Sequence, residues 1–290
     1  MTLTRRRFLT ISAALAWAPK GAAAAHWQGR AFGADVAMTI RGGQEAKAGL
    51  EEARALIKQI EALFSLYDPK SELVRLNQTG ALSAPDPQFV ALMQAADDAY
   101  QLTGGLFDPT VQRLWQAFEQ GGQPQDHVHA IGWDRVQYDA GRILLDQDQA
   151  LTFNGIAQGY ATDKVTEVLH AHGLGDVLVN IGEHRALGGP WRLSLSDPDH
   201  GALGTRTLTT GAIATSSPMA TPFGDAGHIL HPDRKPQWST ISVEASSATL
   251  ADSLSTAMVL ANRDEIEAIR KEADVSRVTL VDWSGDLTTL

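Results

Sequence analysis

Apolar positions recur at intervals of three and four between residues 48 and 66, at Leu50, Ala53, Ile57, Ile60 and Phe64, with Glu51, Glu52 and Lys58 opposite them. That spacing predicts an amphipathic helix, closed by the turn at Asp68-Pro69. Asp86-Pro87 reads as an N-cap followed by proline at the first helical position, opening a helix that runs to Thr103 and stops at Gly104-Gly105. Asp108-Pro109 starts another, ending around Gly121. The stretch "RVQYDAGRILLD" alternates apolar and polar residues about Asp139-Ala140-Gly141, which predicts a hairpin. A strand-like "LTF" at 151–153 leads into a turn bracketed by Gly155 and Gly159, and a helix follows over 156–172. "DVLVNIG" reads as a buried strand, and short strands with turns run from Trp191 to about Val243. Helices are expected over 249–261 and 263–272, then the strand "SRVTLVD". Helices and strands mix without regular βαβ alternation, repeat or linker. The pattern predicts an α+β fold with mixed, largely antiparallel sheets packed by helices.

Composition sets the limits. The 290 residues are 43% apolar, ample for one large domain over residues 26–290. Ahead of it, residues 1–25 carry Arg5, Arg6 and Arg7, a modest apolar run and small residues ending near Ala25. This is the form of a twin-arginine export signal, so a periplasmic location is expected. The apolar run is too short to span a bilayer comfortably, no other stretch could do so, and stable membrane insertion is not expected. Cysteine is absent, which excludes disulfides, thiolate metal sites and cysteine nucleophiles. Loss of the signal removes four basic side chains and no acidic ones, moving the net charge from −10 to −14. So acidic a chain is a poor partner for nucleic acid or an anionic membrane. An anionic small molecule would be met by backbone N–H groups and a metal rather than by a basic patch.

Five places carry candidate chemistry. The glycine turn at 155–159 has the strand–glycine–helix layout that often approaches phosphate, yet its nearest lysine, Lys164, lies further into the helix. In "LADSLSTAMVLAN", Asp252 and Thr256 share one helix face at i, i+4. A carboxylate and a hydroxyl so placed are hard donors suited to Mg²⁺. Equally, Asp252 could answer the helix dipole and Thr256 bond to the preceding turn. In "AGHILHPDRKP", His228 and His231 are candidates for a general base; an H-x-x-H pair could also bind a transition metal, though no third ligand stands at a convincing spacing, and each could equally be a surface or structural histidine, whereas His127 and His129 read as solvated. "TGGLFDPTV" allows close backbone approach at Gly104 and Gly105, although Asp108-Pro109 also reads as a simple capped turn. Tyr67 stands near the turn in "FSLYDPKSELVRLN".

Taken in order, "FSLYDPKSELVRLN", "TGGLFDPTV", "FNGIAQGYATDKV", "LVNIGEHRALG", "ATSSP", "HILHP" and "ADSLSTA" resemble the ApbE family of FAD:protein FMN transferases over about residues 27–284. The resemblance implies a reaction: the FMN half of FAD passes to a Thr or Ser hydroxyl of an acceptor protein and AMP is released. It implies Mg²⁺ on the Asp252 carboxylate, the Thr256 hydroxyl and the Gly155 carbonyl, so that a cation stands in for the missing lysine. It implies FAD held by Tyr67 and the Leu106-Phe107-Asp108 turn, with Phe32, Thr152, Gln158 and Gln237 in the same set, and His228 as the base assisted by His231. The export signal and "NIGEHRALG" look most like members linked to maturation of nitrous oxide reductase, whose acceptor would be a membrane flavoprotein of nitrous oxide respiration. The chain departs from the family pattern at Thr152, Gln158, Glu183-His184 and His231. Those departures keep two other readings open: an FAD-binding assembly factor without transfer, and an Mg²⁺-dependent FAD pyrophosphatase.

Overall fold

The computed structural model describes residues 24–42, 46–221 and 227–290. The expected export signal lies outside these, apart from its last two residues, which open the first strand. The chain begins with a hairpin, β1 (Ala24–Ala31) and β2 (Ala34–Arg41), followed by the long helix α1 (Ala46–Phe64) and the short α2 (Glu72–Thr79). β3 (Ala81–Ser83) leads to α3 (Pro87–Leu102), then to α4 (Gln112–Glu119) and the hairpin β4 (Gln137–Tyr138) and β5 (Arg142–Leu144). Helix α5 (Ala157–Ala171) precedes β6 (Val177–Asn180), β7 (His184–Leu187), β8 (Trp191–Asp197), β9 (Gly201–Leu208), β10 (Gly211–Ser216) and β11 (Thr240–Ala245). The chain ends with α6 (Ala248–Met258), α7 (Arg263–Glu272), β12 (Val275–Val281) and β13 (Leu287–Thr289).

Eight strands form one sheet in the order β1-β2-β6-β7-β10-β11-β12-β13. Every neighbouring pair in it is antiparallel. Alternation sets the two faces. Met38, Ile40, Val177, Val179, Ile241, Val243, Val278 and Leu280 are buried and join the main core with α1, α3, α5 and α6. A smaller core lies under the β8–β9 hairpin, where Leu178, Ala186 and Ile213 meet Trp191, Leu193 and Leu208. The α+β reading from the hydrophobic pattern therefore holds.

Local chemistry accounts for the helix boundaries. Asp86 accepts from the Gln88 N–H at 2.8 Å, with Pro87 at the first helical position. Ser71, Ser247 and Asn262 cap α2, α6 and α7, the last in a capping box with Glu265.

One sequence expectation is corrected here. Residues 151–153 do not form a strand. The Asn77 side chain serves both backbone groups of Leu151, accepting its N–H at 2.7 Å and donating to its carbonyl at 2.8 Å. Phe153 is buried edge-on against Phe64 and Phe89, with ring centroids 5.6 and 5.7 Å away. A side chain thus does what a ladder partner would do, and the aromatic cluster pins the glycine turn to the core.

Candidate active site

Helices α5 and α6 pack against each other beside a cleft, and glycine decides how closely. A Cβ at Gly159 would lie 2.3 Å from the Ala248 carbonyl oxygen and 2.8 Å from the Asp252 Cβ. Without one, the Gly159 N–H reaches the Asp252 carboxylate at 2.9 Å. Asp163, one turn further along α5, accepts from the N–H groups of Ala248 and Thr249 at 2.8 and 2.9 Å and from the Thr249 hydroxyl at 2.6 Å. It also pairs with Arg185 of β7 at 2.6 Å. One buried carboxylate therefore fixes the start of α6 against α5 and the sheet.

This places the metal-ligand candidates together. Gly155, Asp252 and Thr256 line the same cleft. A Cβ at Gly155 would sit 2.8 Å from the Thr256 hydroxyl oxygen, so the glycine turn lies directly against that side chain. Gly155 is outside the left-handed region, and its requirement is for space. The Thr256 hydroxyl is 3.3 Å from the Ser216 hydroxyl, which is itself 2.8 Å from that of Ser255. Asp252 is buried at 4% exposure. Burial pushes its pKa up to about 7; the Gly159 N–H pulls the other way, and nearby Asp163 adds to the rise.

Glu183 lines the cleft too. Burial first, and Asp252 second, hold its pKa well above the usual carboxylate range, against a hydrogen bond from the Thr215 N–H. No lysine or arginine is among the residues lining the cleft. Among the described residues no group of three or more His, Asp or Glu is placed to hold a metal. The donors on offer are carboxylate, hydroxyl and carbonyl oxygens. That set fits Mg²⁺, which takes one or two carboxylates and completes its shell with water or substrate phosphate.

The nucleotide candidates divide. Leu106, Phe107, Asp108, Thr152 and Gln158 line the cleft. Asp108 also caps the 3-10 turn at Pro109–Val111, accepting from the Thr110 N–H at 2.8 Å, and burial raises its pKa. Gln158 is 7% exposed and its Nε2 has no partner. The amide is wedged against Gly182, where φ is 90° and a Cβ would come within 2.5 Å of it. Phe32, Tyr67 and Gln237 do not line the cleft. Phe32 takes φ 51° in the β1–β2 turn and donates its N–H to Glu61 at 2.7 Å. Tyr67 is 67% exposed beyond the end of α1. Gln237 is exposed, and its backbone N–H is held by the Val259 carbonyl at 2.8 Å.

The two histidines part company. His228 lines the cleft, its backbone N–H and its Nδ1 both on the Pro218 carbonyl, at 3.1 and 2.8 Å. A carbonyl only accepts, so Nδ1 carries a proton, and in the neutral ring the lone pair is on Nε2. His231 lines an adjoining groove with Pro232, Arg234 and Trp283. Its Nδ1 accepts from the Asp233 N–H at 3.1 Å. Burial lowers its pKa, while Asp233, Asp108 and a hydrogen bond to the Gly105 backbone oppose that. The Pro218 carbonyl orients the His228 ring through Nδ1, and His231 stands in the neighbouring groove.

Sequence reasoning gave no role to Trp115, Asn154 or Ser216, which also line the cleft. Ser216 sits in the "ATSSP" stretch and carried a signal; Trp115 in α4 reads like any core aromatic. "NIGEH" splits across the sheet. Glu183 enters the cleft, whereas His184 starts β7 on the face of Ala186, buried, with its pKa lowered by burial to about 4.

Known proteins resemble this chain in sequence and in fold. The FAD:protein FMN transferase of Haemophilus influenzae is 25% identical over 278 residues, covering 82% of this chain and 80% of that protein. The protein of the same name from Treponema pallidum is 26% identical, with 79% and 75% covered. Among solved structures, the flavin transferase ApbE of Vibrio cholerae superposes with a TM-score of 0.81 at 21% identity over 93% of this chain and 97% of that one. The ApbE protein of Thermotoga maritima gives 0.82 at 23% identity over 92% and 96%. The sequence model of the ApbE family matches residues 32–279, and the chain belongs to the ApbE family.

Proposed function

We propose that this protein transfers the FMN moiety of FAD to a Thr or Ser hydroxyl of an acceptor protein, with AMP as the leaving group and Mg²⁺ required. The relatives named FAD:protein FMN transferase support flavin transfer to a protein. The observation that carries the finer reading is the composition of the cleft: buried Asp252 and the Thr256 hydroxyl against the Gly155 turn, His228 lining the same cleft, and no lysine or arginine among its lining residues. A diphosphate there needs a cation, and a hydroxyl nucleophile needs a base.

In this reading the acceptor oxygen attacks the phosphorus on the FMN side of the FAD diphosphate. The P–O bond to the AMP phosphate breaks, and AMP takes the electron pair. The acceptor proton goes to Nε2 of His228, the nitrogen left with the lone pair by the Pro218 contact. The Gln158 amide, donating through Nε2, meets a phosphate oxygen. Phe107 and Trp115 give the cleft aromatic surface for a ring system. Bound Mg²⁺, held by Asp252, Thr256 and the Gly155 carbonyl, would neutralise charge developing on the diphosphate.

The proposal extends to place and partner. The amino-terminal stretch with Arg5, Arg6 and Arg7 supports export by the twin-arginine route to the periplasm. The acceptor is then an exported protein, with a membrane flavoprotein of nitrous oxide respiration as the first to try. Among the described residues no helix is long and apolar enough to cross a membrane. Purified protein mixed with FAD, Mg²⁺ and an acceptor domain tests the reading. Covalent flavin on the acceptor with stoichiometric AMP is expected. AMP with free FMN would make the protein a pyrophosphatase, and intact bound FAD with no product would make it a carrier.

A further inference from the structure

Glu183 has no role in the chemistry so far, yet it is built into the cleft. Its backbone carbonyl accepts from the Ile181 N–H at 3.1 Å and from the Thr162 hydroxyl at 3.3 Å, which ties the end of β6 to α5. Its side chain is 8% exposed and lines the cleft beside Asp252. One carboxylate oxygen, Oε2, accepts from the Thr215 N–H at 3.1 Å. Asp252 acts on it electrostatically. The basic side chain nearest in sequence, Arg185, is engaged with Asp163 instead. Two buried carboxylates thus line one cleft without a basic partner; as ions they are costly to bury, and either protons or a cation can neutralise them. A second feature points the same way. The Gln158 amide, 7% exposed and packed against Gly182 next to Glu183, has an unpartnered Nε2 on the same cleft. A donor waiting there suits the oxygen of an anion brought in with the cation.

We propose that Glu183 is a second carboxylate ligand of the cation site formed by Asp252, Thr256 and the Gly155 carbonyl, and that it lets the site take a divalent cation before FAD arrives. The proposal rests on reading that site as a cation site. With Asp252 alone, a divalent ion in this desolvated cleft would keep a net positive charge until a diphosphate entered. With Glu183 the charge is balanced by the protein, and affinity rises with the number of charged ligands.

The test measures Mn²⁺ binding to the full-length, FAD-free protein by electron paramagnetic resonance, for wild type, Glu183→Gln and Asp252→Asn. Glu183→Gln keeps the shape and the acceptor for Thr215. The expected result is weaker Mn²⁺ binding by about tenfold or more in each variant, with a smaller Mn²⁺-induced rise in Tm. A purely structural Glu183 would leave Mn²⁺ affinity unchanged. If only Asp252→Asn weakens binding, the role of Glu183 is overturned and the cation site stands. If neither variant does, or wild type binds no Mn²⁺, both are overturned. Glu183→Ala serves as the second variant should Glu183→Gln fold poorly, and wild-type affinity in it would equally overturn the proposal.

Discussion

Single residues at the site were legible where chemistry and spacing coincide. Asp252 and Thr256 share a helix face by simple periodicity, and the structure sets both on the cleft. Phe32 and Gln237 entered only through family resemblance, Tyr67 also as an aromatic near a turn, and none of the three lines the cleft. The role of Pro218 was not readable, because a backbone carbonyl leaves no trace in residue type. It nonetheless decides which nitrogen of His228 bears the proton. His228→Ala is therefore expected to leave FAD affinity intact and slow transfer by about a hundredfold or more, the usual contribution of a general base. His231→Ala should cost less, since its ring is spent on Asp233 and the Gly105 backbone. Single-turnover transfer to an acceptor domain, beside flavin fluorescence titrations, separates the two. A larger loss in His231→Ala would move the base to that residue.

At the scale of elements, the pattern located α1, α3, α5, α6 and α7 well, because each pairs a 3.6-residue apolar period with a cap or a breaker. It missed α2, whose eight residues bury only Leu73 and Leu76, too little for a periodic signal. It made "LTF" a strand because Asn77, more than seventy residues upstream, supplies the hydrogen bonds. What joins α5 to α6 was equally hidden. The glycine at 159 reads as phosphate-loop chemistry, but its closest neighbours are the Ala248 carbonyl and Asp252. Gly159→Ala should force these helices apart, costing about 1–3 kcal/mol as overpacking does. It should also weaken cation and FAD binding by displacing Asp252. Gly175→Ala is the control: it is exposed, a Cβ there meets nothing within 4 Å, and its stability should change by less than about 1 kcal/mol. Urea unfolding of both variants, with Mn²⁺ titrations, checks the pair. Equal effects from the two substitutions would remove the helix-packing role given to Gly159.

For the whole molecule, the class of fold followed from the absence of regular βαβ alternation, but the strand order did not. Bringing β2 beside β6 requires pairing across well over a hundred residues, and no local pattern encodes that. The same long-range assembly gathers acid groups from α5, α6 and the β6–β7 connection, and so gives the protein a distinctive pH response. In the metal-free protein the Asp252 pKa stands near 7, above its ordinary value of 3.8. The folded state then binds more protons than the unfolded state between these values, so this group makes the protein more stable as pH falls through 7 and less stable above it. Glu183, shifted in the same direction, adds to the trend. His184 opposes it: held neutral with a pKa near 4, it favours unfolding as pH drops below about 6.5, the unfolded histidine value. Unfolding in urea with a chelator present, at pH 8.5, 7.5 and 6.5, should therefore show wild type gaining stability relative to Asp252→Asn as the pH falls. Added Mg²⁺ should reverse the slope, because the cation requires the ionised carboxylate and competes with the proton. Parallel slopes for the two proteins without metal would mean that Asp252 ionises as an ordinary carboxylate. A slope unchanged by Mg²⁺ would take the cation away from Asp252.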